Sequence, residues 1–257
     1  MNIIQIYKQF PTHDDCIKHL ETVRWKGKPT CPYCKSQNST AMPRELRHHC
    51  NTCNTSFSVT VGTIFHKTKC DLQKWFVAIS LVLNAKKGIA ARQLGRDIEV
   101  TKDTAWFMIM RIRKAMKEYG ELLEGICEID ETYIGGKPRG NVGNNKRGRG
   151  TKKIPVVGIV ERNGKVVAKI IPTPNAKTLT RMVKENVNIK IATMISDEYK
   201  GYSNLKTFTT HNTINHSVEY VNGDIHTNTI EGFWALLKRG IVGQYHKLSP
   251  NHLSKYL

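Results

Sequence analysis

Ile126-Cys127-Glu128-Ile129-Asp130-Glu131-Thr132-Tyr133-Ile134 is the stretch on which the reading of this chain turns. Ile, Thr and Tyr favour a β-strand, and they surround several acids. Alternation along a strand points Glu131 away from Asp130. A carboxylate set in an apolar strand costs desolvation unless something neutralises it, and a divalent cation does so.

Working outward from Asp130, the downstream sequence reads as α/β. Ile154 to Val160 and Val166 to Ile171 have strand character, with Arg162-Asn163-Gly164 as a hairpin turn between them. Thr178 to Val187 predicts a helix. Ile191 to Asp197 predicts a fourth strand with Asp197 at its carboxyl end, and Ser217 to Val221 a fifth. Thr227 to Arg239 is a strongly patterned helix in which Glu231, Trp234 and Lys238 share a face. Asp130, Asp197 and Glu231 thus come from three separate elements. Three oxygen donors of this kind suit Mg²⁺ or Mn²⁺. Two such ions can activate a water or hydroxyl and stabilise the leaving oxygen in in-line attack on a phosphodiester. Lys238 is placed to hold a phosphate. Each acid taken singly reads as a surface residue, and Glu128, Glu131 and Glu198 are read as lying outside the set.

Between the first two strands, residues 135–153 hold Lys137, Arg139, Lys146, Arg147, Arg149, Lys152 and Lys153, with six glycines and no acid. Such a loop suits a phosphate backbone. A plain solvated connector is the competing reading. The whole chain of 257 residues carries 40 Lys and Arg against 21 Asp and Glu, a formal charge of 40 − 21 = +19. That field attracts polyanions, so nucleic acid is the expected partner, with a merely soluble basic protein as the alternative.

Upstream of the strands, Asp71 can cap a helix with Leu72, Trp75, Phe76, Ile79 and Leu83 at helical spacing. Ile89 to Gly95 reads as a short second helix, and Thr101 caps a third that runs from Lys102 through Ile112. This is a helix-turn-helix pattern, and an ordinary three-helix bundle is the alternative. Trp106, Phe107 and Met110 are expected to pack inside rather than touch bases. Nearer the start, Cys31-Pro-Tyr-Cys34 and Cys50-Asn-Thr-Cys53 form two knuckles with fifteen residues between them, positions 35 to 49. Four thiolates so spaced can close one tetrahedral Zn²⁺ site, structural because no position is left open. A His48 or His49 ligand in place of one Cys is possible but unneeded. Cys16, Cys70 and Cys127 have no matching spacing and read as buried thiols. The expected division is 1–60 for the segment with the zinc ribbon, 61–122 for the helical DNA-binding region and 123–257 for the catalytic core. No secretory signal opens the chain and its longest apolar run is too short for a bilayer, so a cytoplasmic protein without a membrane partner is expected.

These residues resemble a known family. The two knuckles, Gly62-Thr63-Ile64-Phe65, Ala105-Trp106-Phe107-Met108, Ile129-Asp130-Glu131-Thr132-Tyr133-Ile134-Gly135-Gly136 and His226-Thr227-Asn228-Thr229-Ile230-Glu231-Gly232-Phe233-Trp234 look like the bacterial insertion-sequence transposases of family fifteen ninety-five. The resemblance covers nearly the whole chain. It implies a ribonuclease H-like fold and an acidic triad that cuts element ends and joins them to target DNA. It also implies terminal repeats and target DNA as partners, a homo-oligomer on that DNA, and a place at the bacterial nucleoid. Matched by motif, Asp130 is the first acid and Asp197 the second. Glu231 is favoured as the third, because a carboxylate offsets metal charge better than an amide. Asn228 is the alternative, since related members are described with an Asn in that role. Relatives continue past the equivalent of His252–Leu257, so a core shortened at its carboxyl end is expected. A non-catalytic DNA-binding regulator or inactive remnant, and a nuclease that cuts without joining, are the competing functions.

Overall fold

Two polar residues open the structure by closing helix ends. Asn2 and Thr12 each form a capping box, over α1 (Ile3–Gln9) and α2 (His13–Trp25). The computed structural model describes residues 1–116, 121–135, 153–215 and 223–257. It divides into two compact units, Met1–Lys117 and Glu118–Leu257.

In the first unit, β1 (Ser39–Met42), β2 (Arg47–Cys50) and β3 (Thr55–Phe57) form an antiparallel sheet that carries the knuckles. His48 on β2 is buried. Its ring stacks on Phe57 at 5.6 Å and meets Trp25 edge-on at 5.1 Å, and its Nε2 lies 2.9 Å from Glu21 Oε1. The side chain therefore ties the ribbon to α2.

Three helices follow, α3 (Leu72–Asn84), α4 (Ala91–Asp97) and α5 (Lys102–Met116). Asp71 accepts from the Gln73 N–H at 2.8 Å, and Thr101 Oγ1 accepts from the Thr104 N–H at 3.2 Å, so both expected caps are formed. The α4–α5 turn is tight at Gly95, where a Cβ would stand 2.9 Å from the Val100 carbonyl oxygen. Ala105, Met108, Ile109 and Ile112 are the buried stripe of α5, and Met110 is buried too. Trp106 and Phe107 correct the expectation: they are 37% and 45% exposed. The stripe at helical spacing turns positions 106 and 107 away from the core, and Phe107 carries the Arg111 guanidinium 4.3 Å from its ring centroid.

The second unit is built on β4 (Ile126–Ile134), β5 (Ile154–Glu161), β6 (Val166–Ile170), α6 (Ala176–Asn186), β7 (Thr193–Asp197), β8 (Thr210–Ile214), α7 (Asn228–Gly240) and the single turn α8 (Pro250–Leu253). The sheet order is β6-β5-β4-β7-β8, with β5 antiparallel to both neighbours and β4, β7 and β8 parallel. Asn163, at a left-handed φ of 60°, makes the β5–β6 turn. Alternation along β4 serves two cores. Cys127 and Ile129 pack with Leu179, Met182 and Val183 of α6, while Ile134 packs with Ile230 and Trp234 of α7. A mixed sheet covered by a helix on each face is the ribonuclease H-like arrangement that the resemblance implies. The fifth strand is β8. The stretch Ser217–Val221, expected as a strand, lies outside the described residues.

Candidate active site

Asp130 sits in the middle of β4 on the face that looks towards α7, and its register partner in β5 is Gly158. A Cβ on Gly158 would come within 2.6 Å of the Trp234 ring, so glycine is what lets α7 lie close to the sheet here. Asp130 is half-buried, and its Oδ1 accepts the Glu131 N–H at 2.7 Å. Burial first, then the charges of Glu131, Asp197 and Glu231, push its carboxyl up to about 7 against that one backbone donor. The carboxyl is thus held near neutrality by its surroundings.

Asp197 ends β7, the parallel neighbour of β4, and its Oδ1 accepts the Tyr199 N–H at 3.0 Å. Glu231 lies exposed in the first turn of α7, with Oε1 accepting from the Thr227 hydroxyl at 3.0 Å. The charges of Asp197, on the parallel neighbour of β4, and of Glu231, on α7, both reach Asp130. The three acids do not form a preformed cage. Among the described residues, the group of three or more ligand atoms all within 4.8 Å of one another is that of Cys31, Cys34, Cys50 and Cys53. Asn228 is the exposed first residue of α7, and Lys238 is exposed in its last turn. Of the basic loop, Lys153 leads into β5, whereas Lys137, Arg139, Lys146, Arg147, Arg149 and Lys152 lie outside the described residues.

Two acids that sequence set aside have structural work. Glu131 faces the other core, where its Oε2 accepts the Tyr202 hydroxyl at 2.7 Å. Glu128 is fully buried and pairs with Arg162 of the β5–β6 turn at 2.7 Å. The signal for Glu128 was its place two residues before Asp130, which alternation puts on the same face.

The ribbon cysteines fit a tetrahedral metal. Cys31 and Cys53 sulfurs stand 3.7 Å apart, and those of Cys34 and Cys50 stand 3.5 Å apart. Four sulfurs about 2.3 Å from one zinc ion would be separated by roughly 3.8 Å. Backbone N–H groups of Cys53 and Thr52 pull the Cys50 thiol down, against burial, while the thiol of its neighbour Cys34 is pushed up, so the four sulfurs share protons unevenly.

Residues 11–56 match a transposase zinc-ribbon domain, and residues 122–257 match the ISXO2-like transposase domain, more than half of the chain. The chain belongs to the ISXO2-like transposase family. This transposase is also similar to an uncharacterized protein in transposable element ISH50 of Halobacterium salinarum, 28% identical over 268 residues, covering 97% of this chain and 90% of that one. Among solved structures it is similar to the Mos1 strand transfer complex, at 14% identity and TM-score 0.32, over 69% of this chain and 67% of that chain. A pre-cleavage Mos1 transpososome gives 13% identity and TM-score 0.30, over 99% and 86%. A simian T-cell lymphotropic virus intasome in complex with PP2A regulatory subunit B56 gamma gives 15% and 0.32, over 71% of this transposase and 64% of that chain, a little under two thirds. At those TM-scores the likeness is remote, and nothing about this transposase follows from it. No helix among its described residues is long and apolar enough to cross a membrane.

Proposed function

We propose that this transposase cuts the ends of its element and joins them to target DNA, with Asp130, Asp197 and Glu231 as the acidic set. The observation that carries the reading is the carboxyl of Asp130, set in β4 against α7 and raised by burial first and then by the charges of Glu131, Asp197 and Glu231. A buried acid crowded by like charges is costly as a structural feature and useful as a cation site. The donor set, all hard oxygens from separate elements, fits Mg²⁺ or Mn²⁺. When bound there, such ions supply the positive charge that in-line phosphodiester chemistry requires at the attacking and leaving oxygens. The protein's own part is orientation. The Glu131 N–H, the Tyr199 N–H and the Thr227 hydroxyl each fix one oxygen of an acid.

Around that centre, Lys238 holds a phosphate of the DNA, and the loop of residues 135–153 tracks the backbone. The α4–α5 pair and the zinc-bound ribbon grip the terminal repeats, with more than one copy of the chain on the DNA. Incubating a pre-cut, labelled element end with supercoiled plasmid and Mg²⁺ tests the activity. Labelled plasmid is the expected product. No labelled plasmid from the pre-cut end, beside cleavage of an uncut end supplied in a parallel reaction, would leave only a nuclease.

A further inference from the structure

Thr227 is the N-cap residue of α7, yet its side chain does not cap the helix. Its hydroxyl donates to Glu231 instead. The first turn of a helix leaves N–H groups that need an acceptor. Here the acceptor comes from about a hundred residues earlier in the chain. Glu128 Oε2 accepts the Ile230 N–H at 3.0 Å, and Oε1 accepts the Thr229 hydroxyl at 2.8 Å. The same carboxylate takes Arg162 Nε at 2.7 Å and lies 3.4 Å from His226 Nδ1. Arg162 in turn donates to the His226 carbonyl at 3.0 Å. Nothing of Glu128 reaches the surface.

The geometry points to Glu128 as a positioning residue for the third acid. It seats the first turn of α7 on β4, two residues from Asp130, and so sets where Glu231 stands relative to Asp130. Trp234 against Gly158 holds the next turn. Glu231 lies between these two fixings. The assignment rests on the proposed role of Glu231. Glu128 touches no reacting atom. It acts through the backbone of α7, as outer residues orient metal ligands elsewhere.

The test uses the zinc-loaded full chain and two readouts other than activity. Hydrogen exchange over residues 226–234 reports the seating, and free Mn²⁺ followed by electron paramagnetic resonance reports cation affinity. Glu128→Gln should speed exchange at the start of α7 and weaken Mn²⁺ binding about 10- to 100-fold, the usual cost of losing an outer partner. Combined with Glu231→Gln, it should add nothing to the loss caused by Glu231→Gln alone. Wild-type exchange and affinity in Glu128→Gln would overturn the assignment, and so would a loss that simply adds to that of Glu231→Gln. If Glu128→Gln does not fold, Thr229→Val decides. It removes one bond to Glu128, and a smaller shift of both readouts in the same direction is expected. Unchanged readouts would overturn the assignment. Wild-type Mn²⁺ affinity in Glu231→Gln would instead remove the role of Glu231, and this proposal with it.

Discussion

Asp130 is an acid whose surroundings favour its proton. In an unfolded chain its carboxyl titrates at 3.8, and in the folded chain at about 7. The folded state therefore binds the proton more tightly. Stability from this group is present below about pH 4 and is lost as pH rises through about 7. At about 1.4 kcal/mol per pH unit, the rise from 3.8 to about 7 caps the loss at about 4.5 kcal/mol. Without added divalent ion, the native chain should melt at progressively lower temperature between about pH 4 and pH 7. Asp130→Asn should flatten that decline and melt higher at pH 8. A slope unchanged by the substitution would show that the strain lies elsewhere. The proposed acids Asp130, Asp197 and Glu231 stood out in the sequence only as a set from separate elements, since each taken singly reads as a surface residue. The work of Glu128 did not stand out, because its partners Arg162, Thr229 and Ile230 lie far along the chain and meet it only in the fold. Trp106 and Phe107 misled for a different reason. Large aromatic side chains suggest a core, but the buried stripe of α5 runs through positions 105, 108, 109 and 112.

At the scale of elements, close packing of α7 on the sheet makes a sharp prediction. Gly158→Ala pushes a methyl group into the Trp234 ring, which stands 2.6 Å from the position the new Cβ would take. Overpacking of this kind costs about 1–3 kcal/mol, and the helix that carries Glu231 has to shift. Denaturant melts should show the lower stability, and DNA cleavage should fall further than the loss of folded protein explains. For the ribbon, metal analysis should find one zinc per chain, and Cys31→Ser should release it and unfold the module, because binding energy is folding energy in so small a unit. Less than half an equivalent of zinc in the native chain would contradict this. The strands β4, β5, β6 and β7 and the helices α3 to α7 stood out in the sequence through their periodicity and caps. β8 did not. Thr210–Ile214 is a polar edge strand with one buried residue, so it has little alternation to show. Helix α1 has only 7 residues, and α2 buries only Cys16, Ile17 and Trp25, so their capping boxes are a clearer signal than their apolar residues.

For the whole molecule, a charge of +19 makes DNA affinity a matter of counterions. Binding to element-end DNA should weaken steeply with salt. Neutralising Lys146, Arg147 and Arg149 together should reduce the slope of log affinity against log salt by up to about 3, at roughly 0.9 for each phosphate that the protein no longer neutralises. An unchanged slope would make the loop a connector. Charge and knuckles could be anticipated at this scale, whereas the order of the strands and the spacing between the acids could not, since both depend on how the elements meet in the fold. The central claim is that three acids form one cation-dependent cutting centre. Cleavage of labelled element-end DNA in Mg²⁺ by the native chain and by Asp130→Asn, Asp197→Asn, Glu231→Gln and Asn228→Ala tests it most directly. Losses of several orders of magnitude are expected for the first three variants, with DNA binding retained, and a milder loss for Asn228→Ala. Near-native cleavage by Glu231→Gln with loss in Asn228→Ala would move the third position to Asn228, and near-native cleavage by Asp130→Asn would contradict the central claim itself.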